Sequence, residues 1–242
     1  MKILLTVVVC ENSADTENAL CDGIELLYPD DGEDTKEFLQ RAFKIAKGKY
    51  SVICDRRFKL ADVQSVLNII DKNTSDMICF QGGAALKTAL YRSAVKDSCD
   101  AFSCLVLAVL DCKTILKTFD NPFTFHKITA RFTEQTAQGV LLSAERFGKV
   151  KAKLPKEIYS YAANLLCEKL NFYYLYLMLK IKNGEENYEK LTEFDAKLKA
   201  EIVLYLTFEK RFPYGNLNKL RSKNFKINYF TAKKYRKILN LE

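Results

Sequence analysis

Asp55-Arg56-Arg57 is the stretch of this chain best equipped to do chemistry. It closes the run Ala46-Lys47-Gly48-Lys49-Tyr50-Ser51-Val52-Ile53-Cys54, in which a helix end, a glycine stop and a short apolar strand follow one another. That order makes the end of one crossover and the next strand of a buried parallel sheet. Ligands of open α/β sheets bind just beyond the carboxyl ends of the strands, and there the aspartate and its two arginines are expected. Neighbouring guanidinium groups suit the oxygens of a diphosphate. Asp30 and Asp31, ahead of Gly32, and Asp100, at the start of an apolar helix, are further carboxylates of interest. Each has a plain structural use as well. Asp30-Asp31-Gly32 suits a strand–turn–helix junction, Asp55 with its arginines a solvated ion pair, and Asp100 a helix cap.

Other chemistries find less support. His126 is the single histidine, so no Ser-His-Asp or Cys-His arrangement has a second to choose from. The eight cysteines form no Cys-x-x-Cys pair, and several (Cys54, Cys79, Cys104) sit inside apolar runs as small hydrophobes. A zinc site is not expected, and a reducing compartment is. No Walker-type or Gly-x-Gly-x-x-Gly loop is present.

The elements that must position these residues alternate between strand and helix. Ile3–Cys10 is β-branched and continuous, a central strand; Ile24–Tyr28 is a second. Asp34, with Glu37 three residues on, opens a helix to Lys47 carrying Phe38, Leu39, Ala42, Phe43 and Ala46 on one stripe. Tyr50–Cys54 and Met77–Phe80 read as strands, with a helix over about Leu60 to Asp71 between them. Ala84–Lys96 and Asp100–Thr118 read as helices, and Pro122–Lys127 as an outlying strand. Strands alternating with helices predict an α/β fold with parallel neighbours. From Pro155 the character changes to a long helix to Lys182, a second over Tyr188–Phe208, a turn at Phe212–Asn216 and a basic tail. The expected division is a compact α/β domain over 1–150 and an α-helical appendage over 151–242.

The sequence of 242 residues carries a formal net charge of +8. Ten cations between Lys210 and Lys237, with no acid among them, exceed that total, so the rest is near neutral. A basic tail attracts an anionic surface, a nucleic acid or a phosphorylated ligand. Lys219, Arg221, Lys223, Lys226, Lys233, Lys234, Arg236 and Lys237 are the candidates, interleaved with Phe225, Tyr229, Phe230 and Tyr235. No nucleic-acid motif accompanies them, so a membrane or polyanion surface ranks first. No convincing signal peptide or membrane-spanning run is read. The chain is therefore read as cytoplasmic, with peripheral contact at the inner face of the membrane.

Ala46-Lys47-Gly48-Lys49-Tyr50, an apolar strand and then Asp55 together resemble a segment of family 2 glycosyltransferases, which have the GT-A fold: an Ala-x-Gly-x-Tyr run leading to an Asp-x-Asp motif. Three further pieces fall in that family's order. Val8-Val9-Cys10-Glu11-Asn12 stands where the family has a strand ending in Pro-x-aromatic-Asn. Ile24–Gly32 resembles its strand ending in Asp-Asp-Gly, and Leu90-Tyr91-Arg92 with Cys99-Asp100 its acceptor region. The resemblance covers roughly the first 130 residues. It implies a mostly parallel mixed sheet flanked by helices, with the helical hairpin appended. It also implies inverting transfer of a sugar from a nucleotide-sugar donor to a hydroxyl of a glycan or lipid-linked acceptor. Asn12, Asp30, Asp31, Asp55, Arg56 and Arg57 would bind the donor, and Asp100 would be the base. The usual Mg²⁺ or Mn²⁺ would have Asp55 as its one remaining ligand, because the motif's second aspartate falls on Arg57. Arg57 with Arg56 replaces the metal, or the site is dead. The span from Asp31 to Asp55 holds one helix, shorter than in the family by a strand and a helix. The alternative function is a non-catalytic module of the same fold that associates with an anionic membrane surface or polyanion.

Overall fold

Leu5-Thr6-Val7-Val8-Val9 forms strand β1 with all five residues buried, the pattern of a strand covered on both faces. The computed structural model describes residues 2–10, 22–54, 58–60, 63–81, 83–120, 123–125, 132–181, 185–200 and 217–241. After β1 (Leu5–Val9) come β2 (Ile24–Leu27), α1 (Thr35–Ile45), β3 (Tyr50–Cys54), β4 (Phe58–Leu60), α2 (Val63–Lys72), β5 (Met77–Phe80), β6 (Gly83–Lys87), α3 (Thr88–Ala94), α4 (Ala101–Leu110), β7 (Ile115–Lys117) and β8 (Phe123–Phe125). The helices α5 (Glu134–Val150), α6 (Lys156–Lys180), α7 (Glu185–Ala200), α8 (Leu217–Ser222) and α9 (Tyr229–Ile238) complete the order.

Six strands form one sheet in the order β2-β1-β3-β6-β5-β7. β1 runs parallel to both β2 and β3, and β7 parallel to β5, whereas β6 is antiparallel to β3 and to β5. The chain is thus an α/β protein with a mixed sheet flanked by helices. β4 and β8 pair antiparallel as a separate ribbon. Side-chain alternation divides β1 between two cores. Leu5, Val7 and Val9 pack with Tyr50 and Val52 under Val66, Leu67 and Ile70 of α2, while Val8 faces the core formed by α1, α3, α4, α5 and α6. Burying Phe38, Leu39 and Phe43 of α1 contributes about 1.5–3 kcal/mol per side chain. The larger core is continuous across residue 150, for α6 packs on both α4 and α5.

Several expectations change. Ala84–Lys87, expected at the start of a helix, belong to strand β6: it pairs antiparallel with β5, Phe80 opposite Gly83, and tertiary pairing overrides the helix preference of Ala and Leu. The helix from Asp100 stops at Leu110, because Asp76 Oδ2 accepts from the Lys113 (2.8 Å) and Thr114 (3.2 Å) amides and draws the chain out as edge strand β7. Helix α5 was not anticipated; Thr133 caps it by accepting from the Thr136 amide at 3.2 Å. Gly48 is not a helix stop. Helix α1 ends at Ile45, and Gly48 lies where β1 approaches so closely that a Cβ would stand 2.7 Å from Thr6 Oγ1. The basic tail folds as α8 and α9 with Phe225, Tyr235 and Leu239 buried, and α9 packs on α6. Asp195 of α7, Arg221 of α8 and Tyr174 of α6 form a buried cluster, Arg221 reaching Asp195 at 2.6 and 2.9 Å and Tyr174 donating to the same carboxylate.

Candidate functional site

Strand β1 has β2 on one side and β3 on the other, so the chain leaves β1 in one direction and returns past it in the other. This topological switch point lies beyond the carboxyl ends of β1 and β3, where open α/β sheets form a ligand crevice. The two ends are in register: Val9 pairs with Cys54, and the Cys10 amide donates to the Cys54 carbonyl at 2.8 Å. Asp55, Arg56 and Arg57 follow Cys54 in the chain and lie outside the described residues, as do Asn12 and His126.

The opposite, amino-terminal edge is braced by side chains. Glu25 accepts from Thr6 Oγ1 and from the Lys47 amide, each at 2.8 Å. Thr6 Oγ1 accepts from the Gly48 amide at 2.9 Å, and Thr88 Oγ1 donates to the Gly48 carbonyl at 2.6 Å. Arg92 Nη2 donates to the Ala46 carbonyl at 2.6 Å and Nε to that of Phe43 at 3.0 Å, capping α1. The Ala46–Tyr50 run is therefore held rigidly by β1, β2 and α3, which fixes the direction in which β3 leaves the sheet.

Near that exit, Ile53 of β3, Ala101, Phe102 and Leu105 of α4, and Leu165, Glu168 and Lys169 of α6 line a groove of about 120 Å³. A larger hollow of about 460 Å³ adjoins it, sharing Leu165 and Glu168. The described part of its lining is Tyr161, Asn164, Leu165, Cys167, Glu168 and Asn171, all on α6. Asn171 Oδ1 is buried with no hydrogen-bond partner among the described residues. Burial lifts the Tyr161 phenol well above its ordinary range, so it stays protonated and can donate. One carboxylate, two amides and a phenol beside Leu165 and Cys167 suit a hydroxyl-rich ligand. Sequence reading missed this wall. Its available signal was Asn164, Glu168 and Asn171 at helical spacing inside an apolar helix.

The remaining candidates are placed as follows. Asp100 is 9% exposed at the N-cap of α4, where Oδ1 accepts from the Ser103 amide at 2.8 Å and from Ser103 Oγ at 2.6 Å. Gly139 of α5 lies against it: a Cβ built there would stand 2.8 Å from the Asp100 Cγ. Asp30 and Asp31 are exposed in the turn after β2, with Gly32 at φ +78°. Arg41 stands 3.3 Å from Asp30, forks onto Glu33 at 2.6 and 2.8 Å and donates to the Tyr28 carbonyl at 2.9 Å. The Arg41 fork holds the Glu33 carboxyl down at about 2, against 4.5 ordinarily. Arg41 thus braces the junction at Asp30, and neither Asp30 nor Asp31 is among the described residues lining the groove with Ile53. Burial pushes Cys79 up to about 11 and Cys104 and Cys112 to about 12, which keeps all three as thiols at neutral pH. Among the described residues, no three or more His, Cys, Asp or Glu gather as a metal site, and no helix is long and apolar enough to cross a membrane.

Compared with protein-family profiles, with curated proteins and with solved structures, the chain gives no match.

Proposed function

We propose that the chain is a glycosyltransferase-like protein of the GT-A type that binds a nucleotide-sugar in the crevice beyond β1 and β3. The observation that carries this reading is the switch point. The segment resembling the donor-binding run of family 2 glycosyltransferases is the one that feeds β3 into that crevice, with β1 parallel beside it. Asp55 then contacts the nucleoside and Arg56 and Arg57 the diphosphate, where guanidinium forks neutralise charge that develops as the leaving group departs. A lone carboxylate followed by two arginines is a poor set of ligands for Mg²⁺ or Mn²⁺, so no step is assigned to a metal. In the transfer, an acceptor hydroxyl oxygen attacks the anomeric carbon on the face opposite the diphosphate. The carbon–oxygen bond to the diphosphate breaks, and a carboxylate takes the hydroxyl proton. The acceptor lies in the groove walled by α6.

A second reading, a non-catalytic binding module of the same fold, is favoured by Asp100. Its Oδ1 is already engaged by Ser103, and the residue is nearly buried, which weighs against a base that must meet an acceptor.

Thermal-shift titration with uridine and guanosine diphosphates and their sugars, with and without Mn²⁺, tests the first reading. Binding independent of Mn²⁺ and lost in Asp55→Ala and Arg57→Ala is expected. Silence across the set, or binding unchanged in both variants, refutes it. Binding without turnover selects the second reading.

A further inference from the structure

Tyr229 and Phe230 open helix α9 and stand 69% and 81% exposed. Their rings meet edge to face, 5.9 Å apart at 77°. Large aromatics left in water on a helix end call for an explanation, and their surroundings supply one. At 3.6 residues per turn, Arg236, Tyr229, Lys233, Lys237, Phe230 and Lys234 share one arc of about 160°. All six are exposed. The opposite side carries Ala232 and Tyr235, which are buried. No acid occurs between residues 217 and 241.

We propose that this outer face of α9 docks on an anionic lipid bilayer, with Tyr229 and Phe230 entering the headgroup layer and the four cations facing anionic headgroups. Exposed aromatics settle at the headgroup level of a bilayer, and clustered Lys and Arg are drawn to anionic headgroups. The face is convex. Single-stranded nucleic acid is held instead in a groove with stacking platforms, and an edge-to-face aromatic pair on a helix end offers none.

The helix is a fixed part of the fold. Asn228 caps it by accepting from the Thr231 amide at 2.8 Å, and the Leu239 carbonyl accepts from the Phe132 amide at 3.0 Å, tying its end to the start of α5. Tyr229 and Phe230 cannot turn inward without lifting Tyr235 out of the core. The inference does not depend on sugar transfer, since vesicle binding needs neither donor nor acceptor.

The chain contains no tryptophan, so Phe230→Trp in the full chain is a single-site reporter. With vesicles of phosphatidylcholine containing about three-tenths phosphatidylserine, its emission shifts to the blue and the protein co-sediments; with phosphatidylcholine alone it does neither. Each cation near such a surface is worth about fivefold in partitioning, so Lys233→Gln with Lys234→Gln lowers it about 25-fold. Tyr229→Ser with Phe230→Ser, which removes both apolar anchors, lowers it at least tenfold. These side chains are exposed, so the thermal midpoint of both double variants stays at the wild-type value, which separates lost docking from lost folding. Absence of a blue shift, sedimentation indifferent to the serine lipid, or sedimentation indifferent to loss of the aromatics overturns the proposal. So does salt-sensitive binding to an RNA or DNA probe by a protein that ignores the vesicles.

Discussion

Replacing Gly139 by alanine pits two effects of known size against each other. Gly139 sits in the middle of α5, where alanine is favoured over glycine by about 0.8–1.0 kcal/mol. The added methyl, however, runs directly into Asp100 Oδ1 and stands 2.8 Å from Cγ and 3.1 Å from Oδ2. The carboxyl cannot swing clear without giving up its bonds from the Ser103 amide and hydroxyl. Overpacking of this kind costs about 1–3 kcal/mol. The clash wins, and Gly139→Ala is destabilising by about 1 kcal/mol, or about 2–4 °C in a chain of this length. In an Asp100→Ala background the obstruction is gone. That background is itself weaker by about 1 kcal/mol through loss of the cap, and there Gly139→Ala becomes stabilising by about 1 kcal/mol. Denaturant unfolding of the four proteins gives a cycle with a coupling of about 2 kcal/mol. If Gly139→Ala has the same sign in both backgrounds, the contact with the Asp100 carboxyl is not what keeps position 139 a glycine. A fifth protein, Asp100→Asn, keeps an acceptor oxygen and nearly the same capping strength. Its unchanged stability combined with a 10²–10⁴-fold loss of transfer rate, roughly the worth of a general base, would assign Asp100 to the chemistry; unchanged turnover assigns it to the cap alone.

The buried Tyr174–Asp195–Arg221 cluster joins three helices. Asp195→Asn, which strands the Arg221 charge, is expected to cost about 3–5 kcal/mol in urea unfolding, while Asp195→Leu with Arg221→Met recovers most of it. Equal losses in the two proteins would show that the ion pair is not the reason. Glu33 supplies a pH dependence. Its folded value of about 2 lies below the ordinary 4.5, so its contribution is complete above about 4.5 and fades as pH falls toward 2. In acid titrations of the thermal midpoint, Glu33→Gln should run below wild type at neutral pH and converge with it near pH 2. Parallel curves would refute the Arg41 fork as a source of stability.

What could be read from the sequence, and what could not, follows the physical character of each segment. Strands β1 and β3 were legible because buried parallel strands are continuous β-branched or apolar runs, and edge strand β2 and the mixed-paired β5 from their short apolar runs. Helix α1 was legible from its stripe of Phe38, Leu39, Ala42 and Phe43 and from Asp34, which accepts from the Lys36 amide at 2.9 Å. Strand β6 was not, since Ala84-Ala85-Leu86-Lys87 favours helix until β3 and β5 claim its backbone. Strand β7 depends on Asp76, some 37 residues away in sequence from the amides it gathers, a contact no local window contains. The position of the crevice could be argued from Gly48 and Cys54, but its far wall could not. Nothing in residues 1–150 states that α6 will lie across α4 and lend Glu168 to the groove.

That last placement changes how the helical half is understood. Helix α6 was expected to belong to an appendage. It presents Tyr161, Asn164, Glu168 and Asn171 to the hollow beside the groove lined by Ile53, and its Tyr176 ring lies 5.2 Å from Phe132, whose amide holds the end of α9. Glu168 and Tyr176 are eight residues apart in sequence, about 12 Å along a helix. The groove proposed for the acceptor and the face proposed to meet lipid therefore hang from one rigid element. An acceptor carried in a bilayer would arrive at a fixed height relative to the crevice, set by α6 rather than by a flexible linker. Lys233→Gln with Lys234→Gln is then expected to lower transfer to a membrane-borne acceptor while sparing nucleotide binding at the sheet edge.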